Sequence, residues 1–95
     1  MIHRKVFSTG ILRRGANTIT AVAAVLNSSI KNPVFVKIEV LNWSNYDTST
    51  QIPVKIGETL AVWPFKIAPN QIAEFYTDLV ENEALLYEIR IETYD

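Results

Sequence analysis

His3 is the one histidine of this 95-residue chain, and there is no cysteine. A hydrolytic triad would have to be assembled around a residue at the extreme N-terminus. His3 also has no partner histidine at metal-ligand spacing, so it reads as a solvated side chain. Thiolate nucleophiles, disulfides and zinc-thiolate sites are excluded outright. No phosphate loop, dinucleotide fingerprint or metal-loop pattern is present. Asp78, Glu81 and Glu83 are close enough in sequence to gather around calcium. They lack the alternating oxygen spacing and the glycine of a calcium loop, and a solvated turn is the expectation. Asn27-Ser-Ser and Asn42-Trp-Ser match the glycosylation acceptor pattern, which has meaning only in a secretory pathway. No enzyme activity, cofactor or metal is expected.

The aromatic residues offer a different chemistry. Trp43 and Tyr46 close one predicted strand, and Trp63 and Tyr76 lie on others. Rings aligned on a surface stack on sugar faces, so Trp43, Tyr46 and Trp63 form a candidate carbohydrate platform. Packing in the core or at its rim is the competing role for the same rings.

The elements that position these residues are strands. In Val34–Leu41, the side chains of Val34, Val36, Ile38 and Val40 fall on one face and those of Phe35, Lys37, Glu39 and Leu41 on the other. Pro33 precedes this spine, and the polar run 42–50 ends it. The last strand repeats the pattern, with Leu85, Tyr87, Ile89 and Ile91 inside and Glu88, Arg90 and Glu92 outside. Residues 17–26 are apolar on both sides. Their Ala-Val-Ala-Ala-Val-Leu run would also suit a helix, but β-branched residues and the lack of a charged face favour a strand covered on both faces. Strands are also expected over 51–56 and 59–67, where Pro53 and Pro64 mark edges or bulges. Gly57-Glu58, Pro69-Asn70 and Glu81-Asn82-Glu83 read as turns, and a strand from Gln71 to about Thr77 is preferred to a helix. Seven or eight short strands predict an all-β, two-sheet antiparallel β-sandwich of jelly-roll or immunoglobulin-like type over residues 18–95.

Length and composition agree with one such domain. Hydrophobic residues make up 48% of the chain and charged residues 20%, which excludes a disordered polymer. The net charge of −1 gives no reason to expect nucleic acid or an anionic membrane as partner. No apolar run is long enough to span a bilayer. The residues after Arg4 and Lys5 do not make a secretory signal, so a soluble cytosolic product is expected.

Charge is nevertheless uneven. Residues 1–17 carry Arg4, Lys5, Arg13 and Arg14 with no acid, whereas residues 71–95 carry seven acids against Arg90. A basic head facing an acidic tail is one reading, and two wet faces are the other. Residues 1–17 look like an arm. Ile2, Arg4 and Val6 alternate with His3, Lys5 and Phe7, and Gly10 and Gly15 bracket Ile11-Leu12-Arg13-Arg14.

Val34–Ser44, Phe65-Lys-Ile-Ala-Pro-Asn70 and Tyr87-Glu-Ile-Arg-Ile91 resemble segments of small β-sandwich subunits from Bacillus endospore appendage fibres. That resemblance implies a jelly-roll subunit whose N-terminal segment, here Met1 to Asn17, reaches into the next copy. It also implies a place on the spore surface after synthesis in the mother cell, and an anchoring or tip protein as a further partner. The cysteines that lock such subunits together are absent here. Independently of the resemblance, an apolar arm and proline-marked open edges are what strand addition between chains requires. The expected function is a self-assembling fibre subunit forming a head-to-tail homopolymer. Ile2, Arg4, Val6, Phe7, Ile11, Leu12, Arg13 and Arg14 are the candidate subunit contacts. A carbohydrate-binding module and a phage or capsid decoration protein are the alternatives.

Overall fold

The computed structural model describes residues 4–94, and these residues form strands and turns with no helix. The strands are β1 (Arg4–Ser8), β2 (Leu12–Arg13), β3 (Thr20–Asn27), β4 (Val34–Asn42), β5 (Thr50–Ile52), β6 (Lys55–Ile56), β7 (Thr59–Leu60), β8 (Phe65–Ile67), β9 (Gln71–Asp78) and β10 (Leu86–Tyr94). They build two antiparallel sheets that pack as a β-sandwich. The first holds six strands around the path β1-β10-β4-β5, with β2 beside β10 and β8 beside β4. The second runs β3-β9-β6-β7.

The spine strand β4 lies where its alternation requires. Val36, Ile38 and Val40 face the second sheet and are buried, and β10 lies against them with Ile89 opposite Val40 and Ile91 opposite Ile38. Cross-strand partners share a face, so Ile89 and Ile91 point the same way. They are only partly buried and pack on the core from its margin. Phe75 of β9 fills the centre. Its ring lies 5.4 Å from both Trp63 and Phe65, edge-on to Phe65. Both rings thus bury their apolar area against one ring of the opposite sheet.

Three expectations are corrected. β3 is covered on one face only: Ala21 is buried, whereas Val22, Ala24 and Leu26 are exposed. Apolar residues on both faces gave no sign that the strand ends a sheet. The expected strand over 59–67 is broken, because β7 pairs with β6 in the second sheet and β8 with β4 in the first. Pro64, which has no N–H to give to a ladder, precedes β8. Leu85 lies just outside β10 and is exposed, although Tyr87 behind it packs on the core.

The chain changes sheets at the other proline. β5 ends at Ile52 in the first sheet, and after Pro53 β6 joins the second. That crossing closes one side of the sandwich. On the other side β1 ends the first sheet and β3 the second. Arg14 donates to the Leu79 carbonyl at 3.2 Å while Leu79 N–H donates to the Ile19 carbonyl at 2.9 Å, which ties the end of β2 to the start of β3. The chain therefore turns back there, and β1 and β3 run in opposite senses along the same open side.

Candidate functional site

The open side carries the features that bear on function, and the N-terminal segment dominates it. Residues 4–13, expected as an arm apart from the domain, run antiparallel along β10 of their own chain. Arg4 pairs with Tyr94, Phe7 with Ile91, Ser8 with Arg90 and Leu12 with Tyr87. Between Thr9, whose N–H reaches the Ile89 carbonyl at 3.0 Å, and Leu12, the two residues Gly10 and Ile11 oppose Glu88 alone. This is a β-bulge. Gly10 adopts φ +69°, where a side chain is strained even though the space around it is open, so the glycine is needed for its conformation.

Although paired, β1 is exposed throughout. Val6 and Phe7 remain 53% and 55% exposed, and Ile11 and Leu12 are also open. The strand is held by its ladder and by a few side-chain ties, with nothing packed over it. Arg4 bridges Glu92 at 2.6 Å, and Tyr94 donates to the same carboxylate. These two donors lower the Glu92 pKa, Tyr94 contributing most. Arg13 is exposed, and the half-buried Arg14 is used by the Leu79 carbonyl. Ile2 and His3 lie outside the described residues.

The strongest tie is Glu88. It faces outward from β10 beside Leu41, yet both are buried. Ser8 donates to its carboxylate at 2.5 Å, Trp43 Nε1 at 3.0 Å, and Arg90 at 2.9 and 3.2 Å. Arg90 is the chief reason that the Glu88 pKa falls to about 2. Ser8 and Trp43 lower it further, and burial opposes them. One carboxylate thus joins β1, the end of β4 and β10.

At the second edge, β3 pairs with β9 along its whole length, Val22 opposite Tyr76, Ala24 opposite Glu74 and Leu26 opposite Ile72. Its other side meets no strand among the described residues. Val22, Leu26 and Ile72 are at least half exposed and form an apolar strip on the outer face. β3 has no charge, no proline and no bulge. These are the devices by which exposed edges are normally kept from pairing, and β3 lacks all three.

The aromatic candidates do not share a surface. Trp63 packs inward on Phe75, while Trp43 is half-buried on the outer face of the first sheet with its N–H committed to Glu88. Tyr46 alone is open, 78% exposed in a turn with φ +66°. Both acceptor asparagines are engaged within the fold. Asn27 is buried and donates to the carbonyls of Asn32 and Ile67, and Asn42 donates to the Asn82 carbonyl at 3.1 Å. Asp78 caps its own turn by accepting from Glu81 N–H at 2.8 Å.

Compared with protein-family models, curated proteins and solved structures, the chain matches none. Its site must be read from its own geometry.

Three elements of that geometry escaped the sequence reading. Glu88 read as one of several solvent-facing acids, and no local signal shows that Ser8, Trp43 and Arg90 converge on it. Asn27 drew notice for its acceptor pattern, not for tying β3 to the start of β4 and the end of β8. The open edge of β3 left a faint signal in its two alanines, Ala23 and Ala24, which leave room for a close neighbour.

Proposed function

We propose that this chain is a structural subunit that self-assembles by strand addition, with the N-terminal strand as donor and the sandwich of another copy as acceptor. The observation that carries this reading is the state of β1. It has a complete main-chain ladder on one side, apolar side chains uncovered on both faces, and no strand on its outer edge among the described residues. A strand in this condition gains burial and a second ladder from a neighbour without unfolding its own domain. The resemblance to spore appendage subunits points the same way and suggests the spore surface as the setting. A donor on one copy and an acceptor on the next make a heterologous contact, which closes into a ring or runs on as a filament. Among the described residues, no face brings Trp43, Tyr46 and Trp63 together, so a sugar platform has no geometric support.

A synthetic peptide of residues 1–15 tests the donor role. Added in excess, it is expected to occupy the acceptor and stop growth of the full-length protein, as read by light scattering. Unchanged growth at saturating peptide contradicts the reading.

A further inference from the structure

We infer that the acceptor for the β1 edge is the β3 edge of a second copy, with Val6 of one chain opposite Val22 of the other. This deepens the strand-addition reading and rests on it for the identity of the partner. The two edges are complementary in charge, shape and direction.

Charge favours this occupant over the alternatives. β1 brings Arg4 and Lys5 with no acid, while the strand behind β3 presents Glu74 and Asp78 on its outer face. Two β1 edges placed together would gather four cations with no acid on either strand. Two β3 edges would pair without a clash but bring no cation to Glu74 or Asp78. Only β1 against β3 brings Arg4, which shares the outer face, toward Glu74.

The faces fix the register. Arg4, Val6 and Ser8 lie on the outer face of the first sheet, opposite Tyr94, Glu92 and Arg90, and Lys5 and Phe7 lie on the inner face. On β3 the outer residues are Thr20, Val22, Ala24 and Leu26. An antiparallel pair that keeps outer with outer and sets Val6 against Val22 also sets Arg4 against Ala24 and Ser8 against Thr20. Ala24 is flanked by Glu74 on β9. Its methyl group is short enough for the Arg4 guanidinium to reach over it, and a guanidinium has donors to spare beyond its bond to Glu92. Phe7 then falls opposite Ala21 on the inner face, beside Ala23. The two small side chains leave room for a ring that is otherwise uncovered.

Direction agrees as well. β1 and β3 run in opposite senses, so β1 of one copy meets β3 of a second antiparallel when their outer faces are kept on the same side. Formed reciprocally the contact closes as a dimer, and formed singly it leaves one β1 and one β3 edge free to run on as a filament. The arrangement extends the first sheet of one copy into the second sheet of the other.

The absence of native cysteine makes the register directly testable. Val6 and Val22 are both exposed, so Val6→Cys and Val22→Cys each leave the core intact. Cβ atoms of directly opposed residues lie about 4.5–5.5 Å apart, near the span a disulfide requires. An equimolar mixture of the two full-length variants, mildly oxidised, is expected to give mainly the mixed 6–22 dimer. Each variant oxidised alone is expected to stay largely monomeric. A dominant 22–22 product would overturn the inference in favour of two paired β3 edges, and a dominant 6–6 product would assign the contact to β1 alone. A statistical mixture of all three, or no product, would also overturn it. Filaments without the 6–22 link would leave strand addition standing and refute this acceptor. The 6–22 link in discrete dimers, with no filaments, would keep the acceptor and refute the fibre.

Discussion

Glu88 is largely shielded from solvent and draws hydrogen bonds from three elements at once. A buried carboxylate survives ionised only where charge-assisted donors replace water, and Arg90, Ser8 and Trp43 supply them. The consequence is a pH dependence of definite sign. The folded-state pKa lies near 2, below the ordinary 4.5, so the stabilisation is fully present above about pH 4.5 and is lost as pH falls toward 2. Glu92 is lowered too, so the wild-type chain is acid-sensitive at more than one group. The contribution of Glu88 is isolated by comparing urea midpoints of wild type and Glu88→Gln across that range. The variant is expected to be less stable at pH 7, and the gap should narrow steadily below pH 4.5. Parallel curves would show that Glu88 titrates no differently in the folded and unfolded chains.

Among the strands, β4 and β10 carry the core unequally. Ile38 is 1% exposed beneath the second sheet, so Ile38→Ala is expected to cost about 2–5 kcal/mol from lost burial and a cavity. Ile89 sits at the open margin and its truncation is expected to cost less, with the order checked by equilibrium denaturation. A larger loss at Ile89 would mean that the open side is better covered than its exposure indicates. β1 adds no buried side chain to the core. Deletion of residues 1–12 is therefore expected to leave a cooperative unfolding transition, at a lower midpoint because Ser8 is removed from Glu88. Loss of the folded state would make β1 an indispensable strand of its own domain.

The same elements show what the sequence carried. Alternation in β4 and β10 was legible because most inner positions are β-branched and the central outer ones are charged, the pattern of a half-buried strand. The turn at Pro69-Asn70 was legible because Asn tolerates positive φ, and Asn70 adopts +57°. The exposed face of β3 was not, because Val22, Ala24 and Leu26 have the composition of a covered face. Nor was the docking of residues 4–13 on β10, which depends on long-range pairing and a bulge at Gly10. The candidate contacts Val6, Phe7 and Ile11 follow from apolar character in a segment that reads as an arm. The surface that would receive them emerged only with the sheet order.

At the scale of the whole molecule, the sandwich is closed on one side by the β5–β6 crossing and open on the other, where a basic edge and an uncharged apolar edge lie together. An isolated copy thus leaves β1 and β3 without a partner along that side, and the proposed association with other copies would satisfy both. The most direct test is electron microscopy of the purified full-length protein at neutral pH beside the chain lacking residues 1–12, at matched concentrations. The account predicts regular filaments from the full-length chain and dispersed, folded particles from the truncated one. Dispersed particles from both, or the same filaments from both, would contradict it.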